Sequence, residues 1–354
     1  MKKQLLITFD YELFLGPKSG QANACLLEPT NSLLNILRPH GVKAIFFVDT
    51  TYLYTLEKYS KQYENCKRDL QLVSDQILNI IREGHYVFPH LHPHWLDAQY
   101  LPDEHEFVLK DVKRYRFHNI DQQDRDLLFR ESLRILSSII HPVFPEYKIN
   151  GYRAGGWSIQ PFEDIKPYFI ANGIEYDFSV MRGAYQFSNA QYFDFSDAPN
   201  KPVYAFSDDI TKEDTKGEFI QISSSVIKLK PYVKMADRIV RKVLFKFVKD
   251  HTYGKGVGQQ SKMLKDLSPR SLKGHPSKDR SHEPVSVELL SVVKLQSYLN
   301  FFREQHYMHF VSHPKMLSNH NLATLDQFLD MVFHDYSIET DFVKIVHLYK
   351  KDLS

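Results

Sequence analysis

The sequence predicts an α/β fold in which about seven strand-and-helix units close into a barrel. Two observations lead to this prediction. Short apolar, β-branched or aromatic runs recur along the chain, and longer amphipathic stretches separate them. Alternation of this kind requires crossover connections and therefore a parallel sheet. The length of 354 residues fits either two average domains or one barrel of ~250 residues with insertions.

Seven segments have the apolar and β-branched composition of buried strands. They are Leu5–Phe9, Lys43–Val48, His85–Phe88, Asn150–Arg153, Ile174–Phe178, Phe219–Ser223 and His309–Ser312. Six segments between them carry apolar residues at helical spacing. They are Thr30–Arg38, Leu70–Arg82, Asp121–Ile140, Glu163–Asn172, Val285–Glu304 and Leu322–His334.

The charge of the chain is balanced overall but uneven along its length. Lys and Arg number 45 against 43 Asp and Glu, and 43% of the residues are hydrophobic. This composition excludes wholesale disorder, collagen-like repeats and a globally basic nucleic-acid binder. From Lys228 to Arg280, however, 15 Lys and Arg face four Asp, a local charge of +11 that leaves −9 on the remainder. We interpret residues at about 228–284 as a basic insertion, with an amphipathic helix at Met235–Val248 followed by a flexible stretch rich in Gly, Ser and Pro.

The sequence also favours one compartment. Asp10 and Glu12 interrupt the first apolar run before a signal-peptide core of about 7–15 residues can form. No run approaches the ~18 uncharged apolar residues of a membrane span. Cys25 and Cys66 are the only cysteines, too few for a disulfide framework. We therefore expect a cytoplasmic protein.

Two acids follow the first predicted strand. Asp10 and Glu12 flank Tyr11, and residues i and i+2 of an extended segment point to the same side. The carboxyl end of a strand is where barrel enzymes place catalytic groups. Taken alone, the two acids fit a surface loop or a helix cap at least as well.

Three histidines follow the third predicted strand. His90, His92 and His94 alternate with other residues, so an extended path would present all three together. Pro93 excludes a helix interior and with it the helical His-x-x-x-His pattern of zincins. Because imidazoles are common ligands of zinc and similar metals, we interpret the cluster as a metal site. The alternative is a set of ordinary buried or surface histidines.

Three further motifs occur at or near predicted strand ends. Arg153 precedes a glycine pair, where its guanidinium could reach a carboxylate bidentately. Asp177 lies in a β-rich run, where an acid is unexpected unless it is paired. His313 follows the last predicted strand, and Pro314 keeps it extended. Each motif is weak alone, and a surface arginine is the better interpretation of Arg153 in isolation.

In this order the motifs resemble the five signatures of the polysaccharide deacetylase family, the NodB-homology group of metal-dependent carbohydrate esterases. The resemblance runs through Thr8–Glu12, Lys43–Val48, Gly84 and His85, His90 and His94, Arg153–Gly156, Asp177, and His313 with Pro314. It spans residues 4 to about 314 apart from the basic insertion. The resemblance implies a distorted, TIM-like (β/α) barrel of about seven strands. It also implies a single domain over residues 1–354 that removes acetyl groups from N- or O-acetylated sugars.

The resemblance further implies a role for each residue. His90 and His94 correspond to metal ligands, Asp10 to the catalytic base and His313 to the catalytic acid. Arg153 would orient Asp10 and keep it ionised, whereas Asp177 would keep His313 charged. The metal would be divalent, with zinc preferred and cobalt, nickel, manganese or iron as alternatives.

Two positions depart from the family pattern. The family has adjacent aspartates, the first as base and the second as ligand, but Tyr11 stands at the second position. We therefore assign Glu12 as the third metal ligand. If Glu12 does not reach the metal, Asp10 must bind it and the base is missing. The family's proline after the arginine is replaced by Gly155, so we expect a reshaped loop there.

Three residues are assigned to substrate contact. We place His92 beside the metal rather than on it, since open coordination positions are needed for water and substrate. Trp95 and Trp157 directly follow the histidine and arginine motifs. Either ring could stack on a sugar, and packing in the core at the barrel rim is an equal alternative.

These observations predict a metal-dependent hydrolase that removes an acetyl group from a glycan or glycan precursor in surface-polysaccharide metabolism. The alternative is a non-catalytic glycan-binding or scaffold protein with a degenerate site. The expected partner is an acetylated carbohydrate, with no nucleic acid. The basic insertion predicts a peripheral contact with the inner face of a membrane or with a lipid-linked glycan. A solvated basic loop is the alternative for that segment.

Overall fold

A computed structural model describes residues 2–109, 114–188, 191–258 and 282–350. The strands are β1 (Lys3–Tyr11), β2 (Ala44–Asp49), β3 (Tyr86–Leu91), β4 (Gln99–Leu101), β5 (Glu106–Val108), β6 (Gly151–Ala154), β7 (Tyr176–Asp177), β8 (Tyr185–Phe187), β9 (Tyr192–Asp194), β10 (Val203–Phe206), β11 (Phe219–Ile222), β12 (Val226–Lys228), β13 (His282–Pro284), β14 (Tyr307–Ser312) and β15 (Ile338–Glu339). The α-helices are α1 (Glu28–Leu37), α2 (Thr50–Ser60), α3 (Glu64–Arg82), α4 (Gln122–Ile140), α5 (Lys166–Asn172), α6 (Pro231–Val243), α7 (Val292–Glu304), α8 (Asn319–Asp335) and α9 (Phe342–Lys350).

The main sheet has the order β10-β11-β7-β6-β3-β2-β1-β14, with β15 also beside β1. The seven strands from β11 to β14 run parallel, and β10 is antiparallel at the edge. They correspond one for one to the seven predicted strands, which confirms the predicted fold class. In the described part of the chain no ladder joins β14 to β11. The segment after β11 approaches β14 instead, since the Ser225 N–H donates to the His309 carbonyl (3.3 Å).

Strand alternation divides the apolar side chains into two layers. Leu5, Ile7 and Phe9 of β1 lie in one core cluster with residues of the surrounding helices, such as Leu34 and Ile77. The alternate side chains lie in a different cluster inside the curled sheet. This cluster includes Leu6, Ile45, Phe47, Phe88, Tyr176, Phe178, Tyr307 and, from α9, Phe342, Ile345 and Val346. The interior is therefore packed, and α9 closes its amino-terminal end.

Some elements differ from the prediction. Helix α2 was not predicted because Thr and Tyr residues dilute its apolar pattern, and α9 was also missed. Helix α7 begins at Val292 rather than Val285. Val285 is instead extended, since its N–H donates to Ser225 O and its carbonyl accepts from Val311 N, both at 2.9 Å. The buried apolar residues before α7 have the spacing of a helix by coincidence, and the prediction therefore began the helix too early.

The basic insertion is only partly described. Its ends pair as the antiparallel strands β12 and β13, and the predicted basic helix appears as α6 with a π-helical turn at Leu244–Val248. Residues 251–258 pack on the protein, since the Tyr253 N–H donates to Leu317 O and the Gly254 N–H to Lys315 O, both at 2.9 Å. The rest of the predicted flexible stretch, residues 259–281, lies outside the described residues. None of the described helices has the length and apolar content needed to cross a bilayer.

Candidate metal and catalytic centre

The candidate site lies at the carboxyl ends of the parallel strands. Asp10 is in β1 and Glu12 follows it, His90 is in β3, Arg153 is in β6 and His313 follows β14. Because β6, β3, β2, β1 and β14 are consecutive neighbours in the sheet, their carboxyl ends meet at one edge. The sheet therefore gathers residues up to about 300 positions apart in the sequence.

Asp10 and Arg153 form a buried ion pair. The Nη1 of Arg153 lies 2.6 Å from Asp10 Oδ1. Its Nη2 donates to Thr8 Oγ1 at 2.8 Å and its Nε to the Phe178 carbonyl at 3.1 Å. The guanidinium also lies 4.1 Å from the centre of the Phe47 ring. All three nitrogens are therefore engaged, so Arg153 can hold the Asp10 carboxylate in one orientation.

The same pair keeps Asp10 ionised. Burial by itself raises the pKa of Asp10, but the charges of Arg153, His90 and His313 lower it, and the net pKa lies below its ordinary value. Only Oδ1 contacts Arg153. Oδ2 points towards the histidines, 3.7 Å from His313 Nε2 and 4.0 Å from His90 Nε2.

Tyr11 explains how the two acids come together. Its side chain points away from the site, and its hydroxyl donates to Gln76 Oε1 of α3 at 2.7 Å. Asp10 and Glu12 therefore share the inner face of β1, as the i, i+2 spacing predicts. Tyr11, the residue that departs from the family pattern, packs in the outer layer of the core.

Glu12, His90 and His92 form a buried cluster whose ligand atoms all lie within 4.8 Å of one another. Glu12 Oε2 is 2.6 Å from His92 Nε2 and 3.4 Å from His90 Nε2, and the two Nε2 atoms are 3.0 Å apart. Among the described residues, Glu12 Oε2 has no hydrogen-bond partner of acceptable geometry. Two imidazole nitrogens and one carboxylate oxygen therefore converge on one point.

This donor set fits a divalent metal. His90 Nδ1 donates to the carbonyl of Arg153 at 2.8 Å, because a carbonyl can only accept, and in the neutral ring this leaves the lone pair on Nε2. Burial lowers the pKa of His90, but the charges of Asp10 and Glu12 outweigh it and raise the pKa. The same negative surroundings favour a cation. Two histidines and a carboxylate are a common set for zinc, and the hydrogen bond to Nδ1 fixes the ligating tautomer.

His94 does not join this cluster, although the sequence predicted it as a ligand in place of His92. Pro93 begins a short 3₁₀ helix, Pro93–Asp97, so the extended alternation ends at His92. The His94 ring stacks on Tyr115, with centroids 5.4 Å apart. Both of its ring nitrogens are buried without a hydrogen-bond partner among the described residues, and burial lowers its pKa well below the ordinary value.

Lys315 binds the other carboxylate oxygen of Glu12. Its Nζ donates to Glu12 Oε1 at 2.8 Å and to the Leu13 carbonyl at 2.7 Å. Burial raises the pKa of Glu12, but Lys315, His92 and His90 together hold it well below the ordinary value. Glu12 is therefore an ionised carboxylate with Oε1 fixed by Lys315 and Oε2 directed at the histidines.

His313 is paired with Glu288, not with Asp177. Its Nδ1 lies 3.1 Å from Glu288 Oε2, and its backbone N–H donates to the same oxygen at 2.9 Å. Burial lowers the pKa of His313, but Glu288, Glu12 and Asp10 raise it to about 9. Nε2 then faces both Asp10 and Glu12, at 3.7 and 3.6 Å.

Asp177 lies elsewhere for a geometric reason. Its neighbours Tyr176 and Phe178 fill the interior of the sheet, so the carboxylate of Asp177 points outwards. It accepts from the Ser179 N–H at 2.7 Å and from Ser179 Oγ at 2.9 Å. Ser179 Oγ in turn accepts from the Ala154 N–H. Asp177 thus supports the loop that follows Arg153 and does not contact His313.

Gly155 and Trp157 show how the loop after Arg153 is reshaped. A Cβ at Gly155 would overlap Leu91 O and the His92 ring, so only glycine permits this approach. Trp157 follows with a left-handed φ of 63°, and its half-buried ring lies 6.0 Å from the Arg153 guanidinium.

Trp95 is 1% exposed and donates to Asp49 Oδ2. Trp95 is therefore a core residue without a free face for a sugar.

Four residues of the centre were not identified from the sequence. Thr8, Tyr115, Glu288 and Lys315 contact the predicted residues. Lys315 follows the His313-Pro314 motif directly, which is a signal that could have been used. Glu288 lies in a segment that had the spacing of a helix, and nothing local distinguishes Thr8 or Tyr115.

Comparison with known proteins gives similarity in overall structure alone. No family model matches the sequence, and no curated protein matches it. A protein assigned as a polysaccharide deacetylase from Mycobacterium smegmatis is similar over 100% of this chain and 93% of its own, with 16% identity and a TM-score of 0.47. The catalytic domain of a peptidoglycan N-acetylglucosamine deacetylase from Eubacterium rectale is similar over 96% and 88%, with 12% identity and a TM-score of 0.38. An allantoinase is similar over 98% and 89%, with 10% identity and a TM-score of 0.48.

The matches to deacetylases agree with the resemblance that the motifs predict. At these identities and TM-scores they carry no argument about chemistry, and one of the three structures has a different activity. The function therefore has to be argued from the residues of this chain.

Proposed function

We propose that this protein is a metal-dependent hydrolase that removes an acetyl group from an N- or O-acetylated sugar of a glycan or glycan precursor. One observation carries the proposal. The buried Glu12 Oε2 lies beside Nε2 of both His90 and His92, and a carboxylate and an imidazole, Asp10 and His313, flank this cluster. A water-activating group and a proton donor are thus available at one point.

Glu12, His90 and His92 would hold the metal, and zinc suits two nitrogens and one oxygen. A divalent metal there would polarise the acetyl carbonyl and lower the pKa of water. Lys315 binds Glu12 Oε1 and leaves one oxygen for this purpose. Cobalt, nickel, manganese and iron remain alternatives for the same donor set.

Asp10 takes the proton from the attacking water. Arg153 binds Oδ1 and holds the carboxylate ionised, which leaves Oδ2 as the proton acceptor. A carboxylate within hydrogen-bond reach of a water molecule is the geometry that general-base catalysis requires. Arg153 acts through Asp10 and is a positioning residue.

His313 returns a proton to the departing sugar nitrogen or oxygen. Its Nδ1 is bound by Glu288, so Nε2 is the atom that faces the reaction. Water adds to the acetyl carbon, the bond from that carbon to the sugar nitrogen or oxygen breaks, and acetate leaves. The proton that Asp10 removes and the proton that His313 donates balance this hydrolysis.

Trp157 is the residue that we assign to sugar contact. Its half-buried ring stands next to Arg153, and a left-handed φ in a residue with a bulky side chain is strained. Such strain is common where a side chain is held for a ligand. His92, by contrast, belongs to the metal cluster.

We place the substrate inside the cell, as an intermediate of surface-polysaccharide assembly.

Acetate release from a panel of acetylated sugars tests the proposal. The panel is UDP-N-acetylglucosamine, chitin oligomers and acetylated xylan, with the zinc-loaded protein and with the protein after chelation. We expect release from at least one substrate, and this release should require the metal and be lost in Asp10→Asn. Bound metal without release from any substrate would favour the glycan-binding alternative.

A further inference from the structure

Helix α6 is held against the protein by a network of charged side chains. Asp237 near its middle is buried and accepts from Arg241 Nε at 2.9 Å and from Ser291 Oγ at 2.5 Å. Lys294 Nζ lies 3.4 Å from the same carboxylate. The Arg241 guanidinium also donates to the Glu288 carbonyl at 3.2 Å. A network of charges, with the half-buried Val233 and Val240 beside it, fixes the helix in place.

The apolar side of α6 faces solvent. Residues three or four apart lie on one face of a helix. The large exposed side chains with this spacing are Tyr232, Met235, Ile239 and Val243. The π-helical turn after α6 adds Phe245, Phe247 and Val248, also exposed. An amphipathic helix on a globular protein normally turns its largest apolar side chains to the core, whereas α6 leaves these four exposed. A contiguous exposed apolar patch of this kind marks a binding surface.

The charges around this patch are positive. Exposed cationic side chains next to it are Lys230, Arg238, Lys242, Lys246 and Lys249. Within the described residues 228–258 the two acids are Asp237 and Asp250, and both are engaged. Asp237 lies in the network described above, and Asp250 accepts from Ser318 Oγ at 2.6 Å. No carboxylate in that stretch is left to oppose the cations.

We propose that α6 and the turn after it dock on the surface of an anionic lipid bilayer. The apolar side chains would lie in the interface, and the lysine and arginine side chains would contact lipid phosphates. An exposed apolar face bordered by lysine and arginine is the arrangement of interfacial helices. A second copy of this chain fits less well, since contact through this face would oppose two sets of like charges.

Docking would bring the lipid surface close to the candidate centre. Arg241 of α6 binds the carbonyl of Glu288, and the carboxylate of Glu288 binds His313. One residue thus separates the docking helix from the proposed proton donor. The inference does not depend on catalysis, because it rests on exposure and charge alone.

Vesicle cosedimentation of the full chain tests the inference. The vesicles are phosphatidylcholine alone and phosphatidylcholine mixed with phosphatidylglycerol. We expect at least tenfold stronger partitioning to the mixed vesicles, and Ile239→Asp should reduce it about tenfold. The matched control is Ile170→Asp in α5, since Ile170 is 58% exposed and Ile239 is 56% exposed. Residues 259–281 are present in every variant, so their contribution cancels.

The following results would overturn the inference. The first is a wild-type chain that remains in the supernatant with both kinds of vesicle. The second is binding of Ile239→Asp as strong as that of Ile170→Asp, with circular dichroism showing both variants to be folded. The third is a dimer of the wild-type chain that forms without lipid and that Ile239→Asp dissociates, in which case a second copy covers this face. A double charge reversal, Arg238→Glu with Lys242→Glu, should abolish the preference for phosphatidylglycerol, and an unchanged preference would also contradict the docking of this face.

Discussion

The two ends of the curled sheet differ in the side chains that they bury. At the amino-terminal end, the ring of Phe342 from α9 packs against Tyr86, Phe88, Tyr176 and Phe178 at centroid distances of 4.6 to 5.9 Å. At the carboxyl end the buried side chains are charged, and several of their atoms have no hydrogen-bond partner among the described residues. These atoms are Glu12 Oε2, His92 Nδ1, His94 Nδ1 and His94 Nε2.

The treatment of buried carboxylates shows the same difference. Asp341 at the amino-terminal end is satisfied by Lys43 Nζ and the Tyr86 hydroxyl, both at 2.9 Å. Glu12 Oε2 at the carboxyl end lies 2.6 Å from His92 Nε2, but among the described residues it has no partner with hydrogen-bond geometry. A buried polar atom without a partner costs free energy, and such atoms persist in functional sites. The difference favours a division in which one end stabilises the fold and the other leaves donor atoms available for a ligand.

The largest expected effect is on turnover at the carboxyl end. Asp10→Asn removes the proton acceptor, and we expect acetate release per folded molecule to fall by about 10³-fold. Asp341→Asn is the matched control, a buried carboxylate at the opposite end, and should leave turnover unchanged. Steady-state assays of both variants on the best substrate of the panel measure the difference. Equal losses in both variants would mean that the two ends do not differ in this way.

The second effect is on stability at the amino-terminal end. Phe342→Ala leaves a cavity among four aromatic rings, and we expect the free energy of unfolding to fall by about 4 kcal/mol. Phe247→Ala changes an exposed ring and should cost less than about 0.5 kcal/mol. Urea unfolding measures both values. A fall in turnover of folded Phe342→Ala would show that the packing of α9 also shapes the site.

The third effect is a pH dependence of stability from Asp177. Burial raises the pKa of Asp177 to about 7 even though Ser179 donates two hydrogen bonds to it. An unfolded aspartate titrates near ~3.9. Between these values the folded protein holds a proton that the unfolded chain has released, so the contribution of Asp177 to stability falls as the pH rises.

The asparagine side chain of the Asp177→Asn variant does not titrate. The free energy of unfolding of this variant, relative to that of the wild type, should therefore rise by roughly 2 kcal/mol between about pH 5 and pH 7. Urea unfolding of both proteins across this range measures the gain. A constant difference would show that the pKa of Asp177 is not raised. Turnover at neutral pH should change little, because Asp177 does not contact His313.

The smallest expected effect concerns Glu288. Glu288→Gln keeps an acceptor for His313 but removes its charge, and we expect turnover to fall roughly tenfold. Glu339→Gln is the control at the amino-terminal end, since Glu339 is 14% exposed and Glu288 is 20% exposed. Loss of turnover in Asp177→Asn with none in Glu288→Gln would restore Asp177 as the partner of His313.

The strands of the parallel sheet were predictable because burial on both faces leaves long apolar runs in the sequence. The shared face of Asp10 and Glu12 followed from the period of two in a strand. The period also predicted that His90, His92 and His94 would lie together, but it holds only while the chain stays extended. Pro93 begins a helical turn, and local spacing does not indicate how that turn rotates His94.

The partner of His313 was not predictable for a different reason. The resemblance implied Asp177 as this partner, but the inward direction of the Tyr176 and Phe178 side chains turns the Asp177 carboxylate outwards. Glu288 lies in an irregular segment between β13 and α7, whose path depends on hydrogen bonds to Ser225 and Ser312. Such long-range contacts leave no periodic signal in the sequence.

Metal affinity of two single variants tests the central claim most directly. The claim is that Glu12, His90 and His92 hold a divalent metal and that His94 does not. Titration calorimetry with zinc should show one site in the wild-type chain. His92→Ala should weaken binding by more than the roughly 10–100-fold that loss of a residue hydrogen-bonded to a ligand costs, and His94→Ala should bind zinc almost as the wild type does. Loss of zinc in His94→Ala with retention in His92→Ala would contradict the account.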